Sequence, residues 1–128
     1  MQISRPVTLT APAERSSVRL VRILAAGVAA NAGLSIDDTE DLRIAVSELV
    51  ALLVDGTDAG STIEVELGHA AGEVVVEGRR PAVAGDAEAA EVDDLVLGIL
   101  QVVVDDHTFD SGDGGRRFRI VKRARAAS

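Results

Sequence analysis

The 128-residue chain contains no cysteine, no tryptophan and no tyrosine, and its only aromatic side chains are two phenylalanines. Without cysteine, neither a disulfide framework nor a metal site with thiolate ligands can form. The sequence has no run of about 18 or more apolar residues, so no transmembrane helix is predicted. The first ten residues lack the basic and apolar regions of a signal peptide. We therefore expect a cytoplasmic protein without membrane contact.

What the sequence does contain is typical of one folded domain. Hydrophobic residues make up 47% and charged residues 27% of the chain, and this length suffices for a two-layer core. The net charge of -8 is unevenly distributed: residues 31–113 hold 20 acidic side chains and 3 arginines, whereas residues 114–128 hold 6 basic side chains and no acidic one. Because an acidic body repels nucleic acid phosphates, we expect no direct nucleic acid binding.

Apolar spacing predicts the order strand, helix, helix, strand, strand, helix, strand, strand. The helices are predicted at about 12–31, 36–55 and 92–103, and the strands at 7–10, 62–67, 73–77, 107–110 and 117–121, with a loop over 78–91. Residues 1–121 are predicted to form one α+β domain, a two-layer sandwich of a mixed, mainly antiparallel sheet with three helices on one face. Residues 122–128 are predicted to form a frayed basic tail.

All three predicted helices carry features of functional interest. Arg15, Arg19 and Arg22 are spaced by four and three, so their guanidinium groups line one face of the first helix, either as a solvated face or as a site for carboxylates. Glu48 lies beside the apolar stripe of the second helix, where desolvation favours a general base; the alternative is an ordinary surface glutamate. The third helix is so apolar that it is buried on most sides or against a partner. His69 and His107 have no further ligand at metal-binding spacing, so no metal site is predicted.

The run from Arg19 to Leu53, the hairpin ending in Val76 and Glu77, and the segments 95–106 and 114–122 resemble the anti-sigma-factor serine/threonine kinases. This family has the histidine-kinase-like ATPase fold, also called GHKL or Bergerat-type. The resemblance is closest to divergent actinobacterial members that control general-stress or sporulation sigma factors. It implies a homodimer that binds a sigma factor, and a STAS-type anti-sigma antagonist that releases the homodimer from the sigma factor. Arg19 corresponds to the family arginine that contacts the sigma factor, with Arg15 and Arg22 beside it.

The ATP-binding motifs of that family are altered in this sequence. Glu48 matches the activating glutamate, but Leu52 replaces the asparagine that binds magnesium, and leucine offers no oxygen ligand. Glu77 stands in for the adenine-binding aspartate. The family has a glycine-rich phosphate-binding segment at the start of the third helix, and Gly98 is the only glycine near it in this sequence. The family also has a Gly-Thr pair before the last strand, of which this sequence keeps the glycine, Gly115.

Three hypotheses follow from these observations. The preferred one is an anti-sigma factor with a degenerate ATP site, for which no enzymatic activity is expected and ATP and magnesium are doubtful. The second is an active magnesium- and ATP-dependent serine kinase that phosphorylates the antagonist. The third is a small α+β ligand-binding domain unrelated to transcription.

Overall fold

The computed structural model describes residues 5–56, 60–82, 91–112 and 114–125. The elements in these ranges follow the predicted order: β1 (Val7–Pro12), α1 (Arg15–Asn31), α2 (Ile36–Val54), β2 (Thr62–Ala70), β3 (Glu73–Arg80), α3 (Asp94–Val103), β4 (Asp106–Gly112) and β5 (Gly115–Arg123). The five strands form one sheet in the order β1-β2-β3-β5-β4, and every pair is antiparallel. The predicted α+β class is confirmed, whereas the predicted mixed sheet is wrong, because the described strands pair only in antiparallel fashion.

The helices cover one face of the sheet. Because alternate side chains of a strand point to the same face, one set of residues from β2, β3 and β5 packs against α1 and α2. The fully buried core is aliphatic and includes Val21, Ala25, Leu42, Leu49, Val65, Val76 and Ile120. The opposite sheet face is charged and lines a shallow basin of about 520 Å³. No helix in the described ranges has the length and hydropathy needed to cross a membrane.

Helix α1 begins at Arg15, later than the predicted start near Pro12. Pro12 is instead the last residue of β1, an edge strand, where a missing backbone N–H is tolerated. Its carbonyl accepts a hydrogen bond from the buried Ser17 hydroxyl at 2.6 Å, which fixes the entry into the helix. Helix α2 begins as predicted, with the Ser35 hydroxyl accepting from the Asp38 backbone N–H at 3.1 Å.

Strand β3 extends beyond its predicted end. Residues 78–80, predicted as the start of a loop, pair with residues 116–118 of β5. This places Gly78 against the ring of Phe118, where a side chain at position 78 would overlap the ring. Residues 78–91 are predicted as a loop because they contain Pro81 and Gly85 and lack an apolar period, but the long-range pairing with β5 extends the strand through Arg80.

Strand β5 also continues past Val121, so residues 122–125 are not a frayed tail. Lys122 is buried, and its Nζ donates to the Val103 carbonyl at 2.9 Å. The same Nζ lies 3.7 Å from Asp38 Oδ1 and 3.4 Å from Asp41 Oδ2. These two acids of α2 therefore hold the end of the strand. Residues 126–128 of the predicted tail lie outside the described residues.

Asp38 makes the stability of this region pH-dependent. The Arg125 backbone N–H donates to its carboxylate at 3.0 Å. This hydrogen bond, assisted by Ser35 and by the charges of Lys122 and Arg125, outweighs burial and lowers the pKa of Asp38. Since the folded pKa lies below the unfolded one, the stabilisation is fully present above the unfolded pKa, roughly 3.9. It is lost as the pH falls through the folded pKa.

We therefore expect the free energy of unfolding of the wild type to decline between about pH 5 and about pH 3. Asp38→Asn is expected to be less stable by about 1–3 kcal/mol near neutral pH and to decline less over that range. Urea denaturation at several pH values measures both effects. Asp37→Asn, in the same helical turn but exposed, should keep the wild-type profile. Parallel profiles for wild type and Asp38→Asn would contradict this account.

Candidate functional site

A cleft of about 910 Å³ lies where the start of α1, the second half of α2 and the first turn of α3 meet. Glu48 and Leu52 line it from successive turns of α2, because residues four apart share a helix face. Arg15 lines it from α1, and Asp93 and Val96 line it from the start of α3. The fold therefore brings together Glu48 and Arg15, two residues that the sequence singled out on separate helices.

Acidic side chains dominate this cleft. Among the described residues that line it, one arginine, Arg15, stands beside four carboxyl residues: Glu14, Glu48, Asp55 and Asp93. Glu48 is half-buried and the other three are exposed. The side chains that line the cleft therefore carry an excess of negative charge, which favours cationic groups and disfavours anions. Within the described ranges, however, no group of three His, Asp or Glu side chains is arranged to hold a metal ion.

The N-terminus of α3 opens onto the cleft, and one of its first-turn amide groups is capped by a side chain. Asp93 is the N-cap residue, and its Oδ1 accepts a hydrogen bond from the Val96 N–H at 2.8 Å. Asp94 adds a second carboxylate in the first turn. These negative charges offset the positive end of the helix dipole. The feature by which a helix N-terminus attracts phosphate is therefore weakened here.

Two buried arginines that the sequence analysis missed hold the C-terminal end of α2. Arg80 and Arg116 are cross-strand neighbours on β3 and β5. Arg80 Nε donates to the Leu53 carbonyl at 2.8 Å. Arg116 Nη1 donates to the carbonyls of Leu52, at 2.8 Å, and Asp55, at 2.6 Å. Because the last carbonyls of a helix have no partner within the helix, these guanidinium groups anchor α2, one wall of the cleft, to the sheet.

Three residues predicted to contact a nucleotide lie away from the cleft. Glu77 is on the charged outer face of the sheet, with its Oε1 3.7 Å from Arg119 Nε. Gly98 is exposed in the middle of α3, not at its start. Gly115 is buried at the start of β5, against the backbone at the end of β3. Of the four predicted nucleotide-site residues, only Glu48 lines the cleft.

The arginines of α1 do not form one uniformly exposed row. Arg15 lines the cleft, Arg19 is exposed, and Arg22 is half-buried with a shielded Nε. The exposed apolar residues Leu20 and Ile23 lie close to Arg19 on the same helix. The surface available to a partner therefore combines positive charge with apolar side chains, a composition typical of protein contacts.

A helix layer over an antiparallel sheet, with a cleft between the helices, is the architecture expected of a histidine-kinase-like ATPase domain. The chain resembles the crystal structure of the RsbU and RsbW domains of Rv1364c from Mycobacterium tuberculosis with a TM-score of 0.67 and 21% identity. This match covers 98% of the present chain and 35% of that chain, and it establishes the fold.

In sequence, the chain is 38% identical over 66 residues to the serine-protein kinase RsbW of Halalkalibacterium halodurans. The match spans 49% of this chain and 41% of that protein. No protein-family model matches the chain. The sequence similarity agrees with the resemblance to serine-protein kinases that the sequence indicated, and the structural similarity shows the histidine-kinase-like fold.

Proposed function

We propose that this chain is an anti-sigma factor: as a homodimer it binds and sequesters a sigma factor, and an anti-sigma antagonist releases it. The sequence similarity to a serine-protein kinase RsbW supports the class. The observation that carries the proposal is the exposed Arg19, with Leu20 and Ile23 beside it, on a helix that contains no acidic residue. A guanidinium group in such a setting suits the carboxylates of an acidic helix on a partner.

In this proposal the ATP site is degenerate, because the residues that line the cleft do not fit magnesium-ATP. The Asp93 carboxylate caps the Val96 amide at the start of α3 and adds negative charge there. Leu52, one turn after Glu48, offers no oxygen to a hard cation. The carboxylates around the cleft repel a triphosphate. Sigma-factor binding by this chain is therefore independent of nucleotide.

Copurification with the sigma factors encoded in the parent genome tests the proposal. We expect the wild type to retain one of them without added nucleotide. Arg19→Glu should weaken binding at least about tenfold, because it places like charges in contact. Arg117→Glu is the matched control, since Arg117 is exposed on the outer face of the sheet and should not affect binding. Wild-type protein that binds none of these sigma factors would refute the proposal.

An active serine kinase is the second candidate, and the position of Glu48 in the cleft favours it. Incubating the same preparation with magnesium, labelled ATP and the antagonist protein separates the two functions. The degenerate site predicts no transfer of label. Transfer that is lost in Glu48→Gln would establish the kinase instead.

A further inference from the structure

Helix α3 leaves an apolar stripe uncovered. Leu95 is 75% exposed and Val102 is 77% exposed, and together with Gly98 and Ile99 they line a shallow groove of about 410 Å³. These positions follow the i, i+3, i+4, i+7 spacing of one helix face. The sequence predicted that this helix is buried on most sides or against a partner. Since Leu95 and Val102 are so exposed, the prediction of burial on most sides within the chain is wrong, and burial against a partner stays a prediction.

Gly98 opens a recess in the middle of this stripe. In the part of the chain that the structure describes, no heavy atom lies within 4 Å of a Cβ built at this position, so packing there does not require glycine. Glycine in a helix interior destabilises the helix relative to alanine. The recess lets a second backbone or a bulky side chain approach α3 closely, which suits a contact with another molecule.

The surroundings of the stripe are acidic, and α3 itself contains no basic residue. Exposed carboxylates lie at both ends of the helix: Glu91, Asp93 and Asp94 before or at its start, and Asp105 and Asp106 after its end. Asp105 accepts a hydrogen bond from the Arg123 backbone N–H at 2.6 Å. Because that donor is uncharged, the bond does not neutralise the Asp105 carboxylate. An occupant of the stripe must therefore combine apolar anchors with positive charge.

A second copy of the chain suits this surface poorly. Two copies related by a twofold axis would pack α3 against α3 and bring acidic helix ends together, which is repulsive. The stripe of four residues is also small compared with the roughly 800 Å² per partner of a typical stable interface. A single helix bound in a groove, in contrast, needs only a few anchors at helical spacing.

We propose that the stripe formed by Leu95, Gly98, Ile99 and Val102 is a docking site for a basic amphipathic helix of another protein. Apolar side chains of that helix occupy the recess at Gly98. Its lysines or arginines face the carboxylates at both ends of α3. This surface goes beyond the proposed function, because it is separate from the arginines of α1 and selects a partner of the opposite charge.

The probe for this site is a designed helical peptide of about 14 residues, with leucines at i, i+3, i+4 and i+7 and lysines elsewhere. One control peptide has glutamate in place of every lysine, and a second has the lysine and leucine order shuffled to remove the stripe. Titration of the full chain, followed by ¹H–¹⁵N NMR, should shift the α3 amides with the lysine peptide. Both controls should bind at least about tenfold more weakly.

Surface variants locate the contact. The double variant Leu95→Ser/Val102→Ser should fold normally, because both side chains are exposed, and should bind the lysine peptide at least about tenfold more weakly. Leu20→Ser/Ile23→Ser, which removes exposed apolar residues from α1 instead, should bind like the wild type. Equal binding of the lysine and glutamate peptides, or shifts confined to other elements, would overturn the proposal. So would a dimer in light scattering that the α3 variant abolishes, since a second copy would then occupy the stripe.

Discussion

Replacing Arg80 by alanine is expected to lower the free energy of unfolding by about 3–5 kcal/mol. The side chain is 1% exposed, and its Nε donates to the Leu53 carbonyl at the end of α2. Truncation removes a charge-assisted hydrogen bond to a helix C-terminus and leaves a cavity between α2 and the sheet. Two guanidinium groups were described above as donors to carbonyls at the C-terminal end of α2. The variant keeps only one of these two, that of Arg116.

Arg79→Ala is the matched control for this variant. Arg79 is the preceding residue of β3, but its side chain points to the opposite face of the sheet, is 64% exposed, and lies 3.0 Å from Glu64. Exposed ion pairs of this kind contribute about 0–1 kcal/mol, so only a small change is expected. Urea denaturation near neutral pH measures both variants. Similar losses of stability in the two would show that Arg80 does not anchor α2.

The difference between Arg79 and Arg80 shows which parts of the fold can be predicted from the sequence and which cannot. Alternating apolar residues predicted the order of elements and the α+β class, because one face of each strand must be buried. The same alternation, continued from Val74 and Val76, would have placed Gly78 and Arg80 on the inner face. Residues 78–91 are instead predicted as a loop, because they contain Pro81 and Gly85 and show no clear apolar period. The partner of Arg80 is a carbonyl 27 residues away in the sequence, a contact that no local pattern contains.

Helical spacing and motif order placed the candidate site residues differently in the fold. Spacing placed Glu48 and Arg15 on faces of α2 and α1, and packing of the two helices brings these faces to one cleft. Glu77 was assigned by motif order alone, which does not determine the face of a strand. Because Val76 is buried in the core, Glu77 must point to the other face, away from the helices. Motif order likewise put Gly98 near a phosphate segment, whereas it lies within α3.

Gly115→Ala is expected to destabilise the domain by about 2–4 kcal/mol. Gly115 has φ of 95°, in the region that residues with a Cβ rarely adopt. A Cβ here would overlap the Arg80 carbonyl oxygen and lie 2.6 Å from the Ala82 backbone nitrogen. These are backbone atoms at the end of β3, so they cannot move aside as a flexible side chain would. The close approach of β5 to β3 therefore requires glycine at this position.

Gly114→Ala separates this packing role from general effects of altering the turn. A Cβ at Gly114 would meet no heavy atom within 4 Å, and its φ is not positive, so a change within about 0.5 kcal/mol is expected. Thermal or urea unfolding of both variants gives the comparison. If Gly115 served to let a nucleotide approach, Gly115→Ala would keep wild-type stability and lose only ATP binding. A large loss of stability with Gly115→Ala and none with Gly114→Ala would show that Gly115 is required by the structure of the sheet. Glu48 would then be the one predicted nucleotide-site residue that lines the cleft.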